Sequence, residues 1–235
     1  MRTVIKVTLL LLISLIGNNC CSSQVDNYDS TDSFVKFKEL FQQIDLPIMW
    51  NRKDIGRFTM PSYGQKSSFM DIPIKFFSLI PKDITESYLT TNIRALYRLP
   101  SKDEIQLFFI VSDYMYDRYN EGELYSILTK IYLIGYDNSG KILFHKLIAG
   151  NEEDKWDKLF TFNLDYKFEI RDYELLDSTI KHPTGNHLVG LMNYTETVCE
   201  ISGMEIVNCA NKTIKGFFDP VPNGDYELVR IINEN

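Results

Sequence analysis

The stretch LYSILTKIYLIGYDNSGKILFHKLIA, residues 124 to 149, limits what this chain can fold into more than any other. Tyr125, Ile127, Leu128, Ile131, Tyr132, Leu133 and Ile134 are mainly β-branched or aromatic. Ile142, Leu143, Phe144, Leu147 and Ile148 continue that composition after one interruption. Such side chains suit a pleated, half-buried surface. The interruption, Asp137-Asn138-Ser139-Gly140, supplies positive φ and side-chain-to-backbone hydrogen bonds, as a hairpin connection requires. A one-sided strand alternates apolar and polar residues, whereas both arms here are apolar on both faces. The spacing therefore predicts two central strands, covered on both sides at least in part.

Cover is legible upstream. Phe34, Phe37, Leu40, Phe41 and Ile44 recur at helical spacing, with Lys36, Lys38, Glu39 and Gln42 between them and Ser30 to Ser33 offering N-cap groups. This predicts an amphipathic helix that stops before Leu46-Pro47 and packs on the sheet. Its polar side is mixed in charge, which favours core cover over a membrane-binding face. Residues 47 to 100 hold five of the eight prolines, so irregular chain with short strands is expected there. Ile84, Tyr88, Ile93 and Leu96 mark a weak helix that Thr85, Thr90 and Thr91 oppose. Ile105 to Val111 reads as a strand. Phe160, Phe162, Leu164, Tyr166, Phe168 and Ile170 alternate with polar residues, which predicts one buried and one wet face. Polar residues 177 to 187 read as a loop, and three short strands near 188 to 201, 204 to 214 and 225 to 232 close the chain. The fold class is α+β, predominantly antiparallel β, a sheet of hairpins with an N-terminal amphipathic helix packed on it.

The first residues carry a different message. Arg2 and Lys6 precede an apolar run from Val7 to Gly17, then Asn18-Asn19-Cys20-Cys21-Ser22-Ser23. A basic start, a short apolar core and a small polar exit describe a secretory signal, and the run is short for a bilayer span. Residues 1–20 are read as that signal, 21–32 as a flexible tether and 33–235 as one β-rich globular domain. Cys20 or Cys21 is the candidate lipid acceptor; ordinary cleavage after Ser23 is the rival. The formal net charge is −7 at pH 7, and −9 without the first 20 residues, which contain two basic groups and no acid. That balance argues against nucleic acid, because phosphate binding needs a basic stripe.

Candidate chemistry is sparse. Cys199 and Cys209 flank EISGMEIVN, and in an oxidising compartment such a pair forms a disulfide. They lie opposite each other only if the hairpin loop is odd in length, such as Gly203-Met204-Glu205; a two-residue Ser202-Gly203 turn would set Cys199 opposite Ile206. His182 and His187 in HPTGNH lack companion ligands for zinc and read as polar loop residues, and His145 as a satisfied sheet residue. Asp113, Asp117, Asn120 and Glu121, and Asn151 to Asp154, do not match EF-hand spacing and read as solvated turns. No metal and no cofactor is assigned. The tyrosine-rich segment is the candidate recognition surface: Tyr114, Tyr116, Asp117 and Tyr119 combine rigid aromatic area with charge. The competing reading continues the preceding strand through Tyr114 and Tyr116, packed inward, with the acids facing water. Asn193-Tyr194-Thr195 and Asn211-Lys212-Thr213 are glycosylation triplets that matter only in a eukaryotic source.

The cysteine-terminated signal, polar tether, early F-x-x-F-x-x-L-F helix and β-rich body with YDNSGKI at its hairpin resemble, in layout, the small exported lipoproteins of Bacteroidetes. The resemblance implies an envelope protein in the periplasm or at the outer membrane, held there by lipid alone, and it carries over no catalytic residue. Some proteins of that kind are immunity factors or parts of surface complexes. With no catalytic motif in the sequence, the favoured function is a non-catalytic binding or protein-interaction module with a protein partner in the envelope. The alternative is a secreted hydrolase built from dispersed groups such as His182, His187 and nearby acids.

Overall fold

In the computed structural model, residues 30–59, 67–86, 90–101, 104–117, 125–152, 156–182 and 188–232 are described. Among these residues twelve strands form one sheet: β1 Gln42–Gln43, β2 Ile48–Trp50, β3 Met70–Asp71, β4 Thr90–Arg98, β5 Gln106–Asp117, β6 Tyr125–Tyr136, β7 Ile142–Glu152, β8 Trp156–Phe162, β9 Lys167–Lys181, β10 Leu188–Ser202, β11 Glu205–Pro220 and β12 Tyr226–Ile231. The order is β1-β4-β5-β6-β7-β8-β9-β10-β11-β12, with β2 added to β8 and β3 to β4. Every pairing is antiparallel except β1 with β4. Among the described residues, three short α-helices are present: α1 Ser30–Lys38 precedes β1, and α2 Arg52–Phe58, α3 Lys82–Thr85 and a 3-10 helix at Ile74–Leu79 lie between β2 and β4. None of these helices is long and apolar enough to cross a membrane.

The hairpin expected at 124 to 149 is β6–β7, and its neighbour β5 is covered in the same two-sided way. Leu107, Phe109 and Val111 of β5 join Ile131 and Leu133 of β6 in one apolar cluster. Phe108 and Ile110 join Tyr132, Ile134 and Tyr136 in another on the opposite face. The second face is closed by Phe34, Phe37 and Phe41, with Phe76, Ile80 and Ile84 from the short helices. The first cluster draws Leu96 from β4 and Phe218 from β11, strands far apart in the order. The sheet must curve around that cluster for these residues to meet.

The turn works as its residues predict. The Asp137 carboxylate accepts from the backbone N–H groups of Ser139 (2.8 Å) and Lys141 (3.0 Å). Gly140 sits at φ +88, and a Cβ there would meet the Phe34 ring at 2.6 Å. Helix α1 is thus seated directly on the hairpin turn.

Four expectations change. Helix α1 ends at Lys38 rather than before Leu46, because β4 captures the following chain as β1: Gln42 pairs with Tyr97, and Ile44 N–H donates to the Arg98 carbonyl. The alternating run 160 to 170 is two strands, not one. Phe162 pairs with Phe168, so the alternation runs unbroken through a tight turn, where Leu164 is 71% exposed and Tyr166 adopts φ 62. Residues Ile93 and Leu96 lie on β4, not on a helix; strand alternation sends them to opposite clusters, and a register shift between Ala95 and Tyr97 lets the adjacent Leu96 and Tyr97 both face the first. The polar stretch after 176 extends β9 to Lys181, and β10 and β11 run 15 and 16 residues instead of being short, since each ladder satisfies the other's backbone where side-chain burial is modest.

Candidate functional site

An Asn-x-x-Asp signature sets up the site. Asn51 caps α2: its side-chain oxygen accepts from Lys53 N–H (2.9 Å) and Asp54 N–H (3.1 Å), and the Asp54 carboxylate accepts from Asn51 N–H (3.2 Å). This reciprocal box satisfies the first helical donors. It fixes the direction in which α2 leaves β2, so that Phe58 meets Trp50 edge-on at 5.2 Å between ring centroids. The signature is visible in the sequence, but the proline-rich context around it hides the helix.

Strand β2 alternates buried, exposed, buried: Ile48 and Trp50 point in, and Met49 is 65% exposed. Trp50 packs on Phe109 (4.9 Å) and Phe160 (5.5 Å) of the main cluster. Phe58, Phe69 and Tyr97 close an aromatic box around its outer side, at 5.8 Å for Phe58–Phe69, 5.4 Å for Phe69–Tyr97 and 6.3 Å for Trp50–Tyr97. Above the box opens a cavity of about 430 Å³, bordered by β2, by Ile44, Pro47, Phe58, Phe69 and Tyr97, and by the polar groups Asp54, Arg57 and Ser68. It occupies the gap between β2, which hangs on β8, and the β3–β4 side of the sheet. Burial, and after it the Asp54 negative charge, pushes the Tyr97 hydroxyl above its ordinary pKa, so that it stays a donor.

The cavity wall is anchored from beneath. Arg94 and Asp113 form an ion pair, Nη2 to Oδ2 2.6 Å, with side chains 1% and 0% exposed. Arg94 Nη2 also donates to the Phe58 carbonyl (2.5 Å), and Nη1 to Ser67 Oγ (3.0 Å). Thr129 Oγ1 donates to Asp113 Oδ1 (3.0 Å) and stands 3.2 Å from Thr59 Oγ1. A buried pair is stable only when its remaining hydrogen-bonding capacity is met, and these partners meet much of it. Because Phe58 lines the cavity and Ser67 precedes Ser68, which also lines it, the pair positions both ends of that wall.

A second polar cluster joins α2 to the last strands. Asp157 accepts from Tyr226 and pairs with Arg52 Nε (2.8 Å), Arg171 pairs with Asp225, and Tyr173 packs at a tilt against Tyr194 (4.9 Å) and Tyr226 (4.5 Å). Burial raises the Asp157 pKa above the usual carboxylate value despite the Tyr226 and Arg52 contacts that oppose it. Its groups are engaged with one another, which makes it a clasp holding the C-terminal strands to α2.

The residues singled out from sequence are distributed as follows. Cys199 and Cys209 form a disulfide. Parity is solved differently from the expected odd loop: a two-residue Gly203-Met204 turn pairs Ser202 with Glu205, and a bulge at Asn208, φ 55, shifts the register so that Cys209 reaches Cys199. Tyr114 is buried on β5, its hydroxyl 3.4 Å from that of Tyr132 and its ring beneath Lys130 Nζ. The backbones of Tyr116 and Asp117 extend β5. Their side chains and Tyr119 lie outside the described residues, as do Cys20, Cys21 and His187. Asp113 does not face water; Arg94, an unremarkable strand residue in the sequence, claims it. His145 Nε2 lies 3.0 Å from Asp83 on the α1 face of the sheet, away from the cavity, whose lining among the described residues has no histidine. Among the described residues no three His, Cys, Asp or Glu side chains gather as a metal site.

Compared with protein-family models, with curated proteins and with solved structures, the chain matches none of them. A concave cavity whose wall combines aromatic rings with polar groups in similar measure can hold a ligand by contact and orient it by hydrogen bonds.

Proposed function

We propose that this protein is a non-catalytic binding module of the cell envelope, exported by its N-terminal signal and held to the membrane by lipid at Cys20 or Cys21. The observation that supports it best is the aromatic cavity between β2 and the β3–β4 side, with exposed Met49 at its border and Arg57 at its mouth. Its polar groups are a capped helix turn and a hydroxyl, suited to recognition, and the ionised groups beneath it are committed to anchoring the wall. The N-terminal signature adds location: the expected tether of residues 21–32, cut short at Ser30 where helix α1 begins, would present the domain at a membrane surface.

The test compares what the purified protein and its Met49→Lys variant retain from a native envelope extract, read by mass spectrometry. Met49 is exposed, so the variant should melt as the parent does while losing the retained molecule. Identical retention by both proteins would refute the cavity as the binding site. Intact-mass analysis of the exported protein tests the anchor, since a mature chain starting at an unmodified Gln24 would exclude it.

A further inference from the structure

The cavity has a chemical polarity that narrows what it takes. Its floor is made of flat rings: Phe58 and Tyr97 each contact Trp50, Phe69 and one another within 6.3 Å between centroids, so the floor is set before any ligand arrives. A fixed aromatic floor favours a flat apolar group, which stacks or meets it edge-on without reordering the site. At about 430 Å³ the space suits a small molecule.

The polar side is unequal in its spare capacity. Both Asp54 oxygens are engaged, Oδ2 by Asn51 N–H and Oδ1 by Arg57. Arg57 is different: its side chain is 76% exposed, and among the described residues its Asp54 contact, at 3.3 Å, uses one of its five N–H donors. Tyr97 adds a protonated hydroxyl beside Asp54. Most of what the mouth offers is thus donors, on a planar cation, beside a carboxylate that already has that cation as its partner. A carboxylate, which only accepts and matches the guanidinium fork, complements that offer, whereas an ammonium would meet Asp54 only beside the Arg57 cation that already pairs with it.

We infer that the cavity binds a small aromatic carboxylate, its ring against the Trp50–Phe69 floor and its carboxylate at Arg57. This rests on the reading of the protein as a binding module whose site is this cavity. It goes further in naming the ligand class and the residue that selects it.

The experiment titrates the purified full chain with phenylacetate, phenethylamine and 2-phenylethanol, which share a ring and differ in the charge of the end group, by calorimetry and ligand-observed NMR. Phenylacetate should bind about tenfold tighter than the other two, as one charge-assisted contact implies. Arg57→Gln, on an exposed side chain, should erase that preference while leaving the affinity for 2-phenylethanol and the melting temperature unchanged. Met49→Lys should perturb all three. Equal or tighter binding of the amine would overturn the carboxylate assignment and leave the binding-module reading intact. Phenylacetate binding that survives both substitutions would overturn the placement. Binding of none of the three would overturn the ligand class, while loss of retention from the envelope extract in Met49→Lys would still uphold the module.

Discussion

Arg94 and Asp113 meet across adjacent strands β4 and β5, guanidinium to carboxylate at 2.6 Å, with neither side chain more than 1% exposed. Removing one partner strands a charge in the interior. Asp113→Ala is expected to cost about 3–5 kcal/mol, measured by denaturant unfolding. The paired replacement Arg94→Met with Asp113→Leu should recover much of that loss, because desolvation offsets most of what an ion pair contributes. Recovery of stability with altered ligand binding would mark the pair as a positioning device for Phe58 and Ser67.

Gly140 carries two constraints at once. Its φ of +88 disfavours any side chain, and the Phe34 ring stands where a Cβ would go. Gly140→Ala should therefore destabilise by about 1–3 kcal/mol. Gly203 is the internal control: it also has positive φ, +59, but nothing lies within 4 Å of its Cβ position. Gly203→Ala should cost less, and the difference between the two melting shifts isolates the packing of α1 on the turn.

The Cys199–Cys209 disulfide ties a hairpin that is already hydrogen-bonded on both sides of the bulge. Replacing both cysteines by alanine should lower stability by roughly 2–3 kcal/mol on the chain-entropy account, with the sheet retained. Thiol labelling of the unreduced protein followed by peptide mapping should find both residues unreactive. Labelling of exposed Cys209 without reductant would contradict the bridge.

Tyr136 sets a limit at alkaline pH. Its hydroxyl donates to the Leu79 carbonyl at 2.6 Å, and burial holds its pKa well above the ordinary 10.0. Burial does the same for Tyr226, reinforced by Asp157. In the unfolded chain these groups ionise near 10, whereas in the folded chain they stay protonated beyond it. Their contribution is thus fully present below pH 10 and is lost as pH rises above it, since ionisation favours the unfolded state. Tyr136→Phe should reduce the slope of stability against pH in that range, while costing about 1 kcal/mol at neutral pH for the lost hydrogen bond. Denaturant midpoints measured across the alkaline range check both signs.

The parts of the fold legible in the sequence are those whose signals are local. The β6–β7 hairpin followed from β-branched arms flanking Asp137 to Gly140, and the Phe34–Phe37–Phe41 stripe identified cover for the sheet. Alternation misled at residues 160 to 170. A turn that pairs Phe162 with Phe168 preserves the two-residue period, so nothing in the pattern except Leu164 marks it. The long β10–β11 hairpin was equally obscured, because much of it is half-exposed and its ladder owes more to backbone pairing than to apolar side chains.

The candidate site was not legible, for a geometric reason. Arg94 and Asp113 are 19 residues apart, and β2 reaches its partner β8 more than a hundred residues away. Each contributor looks ordinary in its own neighbourhood. Sequence by itself determined the predominance of antiparallel β-structure, the central hairpin, the cysteine pair and the apolar stripe, since each arises from side-chain chemistry at short range. Only the tertiary structure decided that β2 and α2 fold back over Phe109 and Phe160 to leave an aromatic cavity. Curvature of the sheet brings Trp50, Phe58, Phe69 and Tyr97 together, and curvature is a property of the whole packed core.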